Sequence, residues 1–292
     1  MVIKVLEYIA IAIFAYFVGN ISWARIFSKK QKEDITTKGS GNPGTMNMLR
    51  NFGVKLALLT LLLDMLKGVV ASLAGMLLFK YTGLNSDIGI YFAGLFAIIG
   101  HMFPVIYKFK GGKGVATSLG VFMVANPLWL IVAFVVGFLY VWFFDYGSVA
   151  SLFIVASMSI IQGYKNIQIY ENDLTTLLFV NILIFAIFVT IWIAHRQNIV
   201  RLLVGKENKA NLKKSFKSKL KKQKKEEIKT EYQEQKSDLK TEFKKLKAEY
   251  KKDVKAKKKE LKKQFKKIKV SLKQSNADLL ANEILSDKDY EE

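Results

Sequence analysis

Val54-Lys-Leu-Ala-Leu-Leu-Thr-Leu-Leu-Leu-Asp64-Met-Leu-Lys67-Gly-Val-Val-Ala-Ser-Leu-Ala-Gly-Met-Leu-Leu-Phe79 decides the fold class. A helix rises about 1.5 Å per residue, so this run is longer than the roughly 30 Å of a bilayer's hydrocarbon core. Its apolar residues fall on every side rather than along one stripe, the pattern of a helix with lipid as its solvent. Asp64 and Lys67 interrupt it at a spacing of three, on one face. Asp64 lies about 15 Å into the run at 1.5 Å per residue, where charges face the bundle interior in pairs. The residues alone leave open whether the pair is structural or functional.

Working outward, further apolar runs occupy Val2–Phe27, Ile88–Tyr107, Val115–Ala125, Leu128–Phe144, Val149–Gly163 and Leu174–Ala194. Val2–Phe27 is too long for a signal h-region and no cleavage site follows, so it reads as a retained first span. Val115–Ala125 is short and needs shelter from protein or an interfacial position. The expected fold is all-α: a polytopic membrane bundle of seven transmembrane helices.

Composition splits the chain. It has 292 residues, 51% of them hydrophobic, and a net charge of +21. Residues 206–292 hold 29 Lys and 16 acidic residues, a net of +13, leaving 16 basic and 8 acidic residues, or +8, for 1–205. We therefore divide it into a membrane domain, 1–205, and a basic tail, 206–292. Loops Ser28–Gly53 and Lys108–Gly114 and the tail carry most of the Lys and Arg, whereas 80–87, 126–127 and 164–173 carry few. The positive-inside rule then sets the N-terminus outside and the tail in the cytoplasm.

The polar residues of the membrane domain gather on that cytoplasmic side. Lys38-Gly-Ser-Gly-Asn-Pro-Gly-Thr-Met-Asn-Met-Leu-Arg50 offers turns that can aim N–H groups inward, neutral donors at Ser40, Asn42 and Asn47, and a phosphate-matching fork at Arg50. An ordinary glycine-rich loop is the plainer reading. Lys110-Gly111-Gly112-Lys113-Gly114 opens a helix running through Thr117, a favourable place for an anion. It lacks the spacing of a nucleotide-binding P-loop; a basic topology loop is its plain alternative. His101 stands nine residues before Lys110. At the end of the last span His195, Asn198 and Arg201 share a helical face, with Glu207 beyond. With no Cys, thiol chemistry is excluded, and two His make a multi-histidine metal site untenable. The set describes a pocket for one or two phosphates beside lipid, with no metal and no cofactor called for.

Taken together, Gly39–Arg50 with Asp64-Met-Leu-Lys-Gly68, Gly100–Pro104 with Phe109–Thr117, and His195–Glu207 resemble the three motifs of the bacterial acyl-phosphate:glycerol-3-phosphate acyltransferases, over about residues 5–208. Thr45-Met46 departs from the Ala-Thr more usual there. The resemblance implies an enzyme that moves a fatty acyl group from acyl phosphate to the 1-hydroxyl of glycerol 3-phosphate, the first step of phospholipid synthesis. It implies catalytic roles for Ser40, Arg50, His195 and Asn198. The substrate-binding set becomes Asn42, Asn47, Lys67, His101, Lys110, Gly111, Gly112, Lys113, Gly114, Thr117, Ser148, Ser151 and Arg201, and Asp64 and Glu207 become structural. It also favours the substrate's own phosphate over His195 as the base. The absence of an Asp five residues after either His argues against acyl-CoA-dependent chemistry. A membrane transporter of a phosphate-bearing solute is the alternative.

The tail lies outside this resemblance. Residues 230–273 form four 11-residue units, with apolar residues at the third and tenth positions and Lys at the end of each. Eleven residues make about three helical turns, which predicts a long basic amphipathic helix. It could lie on the anionic inner leaflet, self-associate or stay solvated; nothing specific points to nucleic acid. The acidic end, Asp287–Glu292, is expected to be disordered.

Overall fold

The computed structural model describes residues 2–288, so residues 289–292 of that acidic end lie outside the described residues. The described residues are helical with short connections. The helices are α1 (Val2–Asn20), α2 (Trp23–Lys30), α3 (Thr45–Tyr81), α4 (Ser86–Met102), α5 (Val115–Ala125), α6 (Pro127–Phe144), α7 (Gly147–Ile169), α8 (Leu174–Ala194), α9 (Arg196–Leu203) and α10 (Leu212–Lys288). The chain divides into two compact units, Met1–Lys221 and Lys222–Glu292.

In the first unit, six segments are long and apolar enough to cross a membrane: Ile3–Lys30, Thr45–Tyr81, Ser86–Tyr107, Pro127–Phe144, Gly147–Ile169 and Leu174–Ala194. The seventh expected crossing, α5, has eleven residues, about 16 Å of helix, and cannot cross alone. It is sheltered instead, with Thr117 to Phe122 buried against its neighbours. α8 shows what the surrounding solvent is. Val180, Ile184, Ile187 and Ile191 face inward, while Leu178, Phe179, Ile182 and Phe185 are exposed on the other side, equally apolar.

Two boundaries differ from the sequence reading. The first span is not one helix over Val2–Phe27: it breaks at Ile21–Ser22. The reason lies elsewhere in the chain, because the Lys67 ammonium takes the carbonyls of Gly19 (3.2 Å) and Ile21 (2.7 Å), which would otherwise be orphaned in the bundle. The second span starts nine residues earlier than Val54. Gly53, at φ 79°, kinks α3 so that Thr45–Phe52 forms a separate leading segment. That kink carries Asn47 and Arg50 on the end of a membrane helix.

Small residues let the helices approach closely. A Cβ on Gly68 would overlap the Thr117 carbonyl, and one on Gly120 would overlap that of Met65, so α3 and α5 meet backbone to backbone. Gly75 and Gly89 do the same for α3 and α4. The connections at 31–44, 103–114, 145–146 and 204–211 come together at one end of the unit. Arg25 Nη2 donates to Lys110 O (2.7 Å), Arg50 donates to 208–209, and Ala210 N donates to Asp145 O (2.7 Å). Residues 206–216 belong with this unit: Ala210 and Leu212 are buried, and Phe216 packs edge-on to Trp142 at 6.1 Å. In the second unit α10 continues as one helix through Lys288, its large apolar residues from Ile228 to Leu272 exposed.

Candidate functional site

The converging connections roof a cavity of about 360 Å³. Its polar end is lined by Ser40, Asn42, Asn47, Arg50, Asp64, His101, Lys113, Gly114, Ser148, Ser151, His195, Asn198, Arg201 and Glu207. Leu58, Leu61, Leu119, Phe134, Phe138 and Ile154, from α3, α5, α6 and α7, wall the other end. Fourteen of the nineteen sequence-derived site residues thus meet on one cavity.

The first loop is shaped by Asn47, which is buried. Its Nδ2 donates to Ile35 O (3.2 Å) and Lys38 O (2.9 Å), and its Oδ1 accepts from Ser40 N (3.1 Å). Gly39 and Gly41 turn the chain at φ 55° and 69°, where a Cβ is unfavourable. This leaves Ser40 exposed at the rim. One helical turn after Asn47, Arg50 Nε donates to Lys209 O (2.7 Å) and Nη2 to Asn208 O (3.0 Å). Both acceptors are neutral carbonyls, so the guanidinium is held in place without a directly paired carboxylate, with Glu207 and Asp145 acting on it only from nearby.

Lys113 donates to Asn198 Oδ1. Asn198 Nδ2 donates in turn to Glu207 Oε1 (2.6 Å), and Arg201 Nε to Glu207 Oε2 (2.9 Å). Asn198 and Arg201, two of the three residues expected on that face, are thereby fixed by one carboxylate. Burial works against ionising Glu207, but the Asn198 and Arg201 hydrogen bonds outweigh it and hold the carboxyl below its usual range. Ser148 lies close to Glu207 yet makes no hydrogen bond of proper geometry; its Oγ and Thr45 Oγ1 are buried without partners on the cavity wall. Burial, with Arg201 and Arg50 nearby, lowers Lys113 to about 8, so it stays mainly protonated at neutral pH. Arg50, Lys113 and Arg201 against Glu207 leave two positive charges over. The first N–H groups of α5, which have no intrahelical acceptor, add to this field beside Gly114 and Val115.

His195 is buried, and burial together with the Lys113 charge lowers it to about 4. Its Nδ1 lies 2.8 Å from Ile191 O. A carbonyl only accepts, so Nδ1 carries the hydrogen and Nε2 keeps its lone pair.

A second polar cluster sits deeper. The Lys67 ammonium is 2.8 Å from Asp64 Oδ1, but its three hydrogens are taken by Gly19 O, Ile21 O and His101 Nδ1 (2.9 Å). Asp64 Oδ1 thus faces the ammonium mainly as a charge partner, and Asp64 also lines the cavity. His101 accepts at Nδ1, and its Nε2 abuts Gly112, where a Cβ would overlap it.

Five residues expected to bind substrate lie off the cavity. Lys67 is enclosed between helices. Lys110 is exposed, with its carbonyl taken by Arg25. Gly111 N donates to Met102 O (3.0 Å) and Gly112 N to His101 O (3.1 Å), so these two N–H groups of the expected anion-binding stretch are occupied. Thr117 is fully buried under Gly68. Conversely, Arg25, stacked on Tyr107 at 4.6 Å, and the carbonyls of Asn208 and Lys209 hold the site but carry no local sequence signal, since their partners are 82 to 159 residues away. Among the described residues no three His, Cys, Asp or Glu side chains gather as a metal site.

The family model described as glycerol-3-phosphate acyltransferase matches residues 9–205. A glycerol-3-phosphate acyltransferase of Finegoldia magna is 39% identical over 202 residues, covering 69% of this chain and 95% of the relative. That of Clostridioides difficile is 36% identical over 214 residues, covering 72% and 99%. The crystal structure of an integral membrane glycerol 3-phosphate acyltransferase in its glycerol 3-phosphate form superposes with a TM-score of 0.59 at 32% identity, covering 69% of this chain and 94% of that one. The lysophosphatidic acid form gives 0.56.

Proposed function

Because the chain belongs to the glycerol-3-phosphate acyltransferase family, we propose that it acylates the 1-hydroxyl of glycerol 3-phosphate with acyl phosphate as donor. One observation carries this reading: a single cavity joins an end with two excess positive charges to an apolar slot at membrane depth. Two phosphates need the first and a fatty chain the second. We assign Arg50, Lys113, Arg201 and the start of α5 to the phosphates, with Ser40, Ser148 and Thr45 as neutral donors. Leu58, Leu61, Phe134 and Phe138 receive the chain.

Acyl phosphate is a mixed anhydride with a good leaving group, so positioning and fixed charge supply most of what the reaction needs. The hydroxyl oxygen forms the new C–O bond, the bond from acyl carbon to phosphate oxygen breaks, and inorganic phosphate leaves. The hydroxyl proton goes to a phosphate oxygen. A phosphate monoester's second pKa is about 6, whereas His195 lies at about 4, so phosphate is the stronger base by roughly two units. His195 Nε2 and Asn198 then orient the glycerol hydroxyls rather than remove a proton.

The cavity face is the cytoplasmic face of the cell membrane in this reading. The loops 28–53 and 108–114 on that face hold eight of the 16 Lys and Arg of residues 1–205, and the opposite loops 80–87, 126–127 and 164–173 hold two. The deciding assay supplies purified chain and glycerol 3-phosphate with either acyl phosphate or acyl-CoA. Lysophosphatidic acid forms from acyl phosphate alone; folded protein that gives product only from acyl-CoA, or none from either, overturns the proposal.

A further inference from the structure

The apolar face of the tail is interrupted by a lysine at the same place in every repeat. In the four units starting at 230, 241, 252 and 263, position three is Tyr232, Phe243, Val254 and Phe265, and position ten is Leu239, Tyr250, Leu261 and Leu272. Position seven is Lys236, Lys247, Lys258 and Lys269. At about 100° per residue these three positions fall within an arc of roughly 60°. Each unit thus presents two apolar side chains and one lysine on one face. The apolar members are exposed, from 47% at Val254 to 71% at Tyr250. Charge also rises along the helix. The four units carry 2 Lys against 3 acidic residues, 4 against 2, 6 against 2 and 5 against 0, or −1, +2, +4 and +5.

We propose that this face docks on the anionic headgroup surface of the bilayer that holds the first unit, with residues 252–273 as its tightest part. The lysine at position seven decides against a second copy. Positions three, seven and ten have the four-three-four spacing of an 11-residue coiled-coil seam. A seam built from this sequence would place a lysine layer in every unit, and lysine in a seam weakens the coil. At a lipid surface the same lysine lies along the apolar face and lifts its ammonium to a phosphate. The charge gradient fits an anionic surface, and the covalent connection to a membrane-embedded unit keeps one at high effective concentration. This inference does not depend on the acyltransferase reading.

The chain has no cysteine, so Phe265→Cys gives one attachment point for an environment-sensitive fluorophore on the face. Lys267→Cys, about 200° around the helix, is the control. The full chain is placed at one copy per nanodisc, in discs with or without anionic lipid. At position 265, quenching by an aqueous quencher falls severalfold in anionic discs relative to zwitterionic ones and returns in high salt; position 267 stays accessible throughout. Replacing Lys236, Lys247, Lys258 and Lys269 with Glu abolishes the dependence on anionic lipid and leaves acyl transfer unchanged. Equal quenching at 265 in both kinds of disc overturns the proposal. So does protection that appears only when two chains share a disc and their labels show energy transfer, which would assign the face to a second copy.

Discussion

Two buried polar clusters meet the same cavity and are built on opposite principles. Around Lys67, all three ammonium hydrogens have acceptors and the charge is cancelled by Asp64. The acceptors come from the break after α1 and from α4, so the cluster ties three helices together. Around Arg50, Lys113 and Arg201, three cations are steadied mostly by neutral oxygens and share one carboxylate. The first cluster is closed, its ammonium hydrogens used and its charges cancelled. The second is open, with geometry fixed and charge left over. A polar group buried in a membrane protein is a stronger binding candidate when its partners hold it without neutralising it.

Breaking the closed cluster gives the largest expected effect. Lys67→Met removes the positive partner of a buried carboxylate and strips the carbonyl partners at the α1 break, costing about 3–5 kcal/mol of stability. Thermal unfolding in detergent checks this. Asp64→Asn with Lys67→Met recovers much of the loss, because no lone charge remains. If Lys67→Met instead stays fully stable while losing turnover, the distinction between the clusters fails. In the open cluster, Arg50→Ala lowers kcat/KM by about 10²–10³-fold, the range for losing one fixed donor to developing charge. Its unfolding temperature drops less than that of Lys67→Met. A variant with near-normal kcat/KM removes Arg50 from the site.

How much of this was legible follows from how far each signal travels along the chain. The Asp64–Lys67 pair and the face of His195, Asn198 and Arg201 are local patterns at helical spacing, and the structure brings each together as those spacings imply. Gly111 and Gly112 show that glycine reports conformational freedom but not which carbonyl an N–H will meet; here Met102 and His101 supply them. Continuous hydropathy hid the break at Ile21–Ser22, since the cation that permits it sits 46 residues onward. Arg50 could be recognised as a phosphate-matching side chain, but not that carbonyls 158 and 159 residues away would aim it.

The smallest predicted effect is a matter of pH, and it separates Lys113 of the open cluster from the neighbouring His195. Above pH 7.5 both substrate phosphates are already fully ionised, their second pKa being about 6. An alkaline limb in kcat/KM therefore reports the free enzyme. Lys113 at about 8 is the group that titrates there. It carries its charge below that value and loses it above, so kcat/KM falls by about tenfold between pH 7.5 and 9, through KM for glycerol 3-phosphate more than kcat. His195, at about 4, is neutral across this range and down past pH 5, and it contributes no inflection near 6.5. Lys113→Met lowers activity at pH 7.5 and flattens the alkaline limb. His195→Ala lowers activity and leaves that limb where it was. If the limb moves with His195 instead, then the imidazole is the titrating group, and the base in the reaction is the protein's rather than the substrate's.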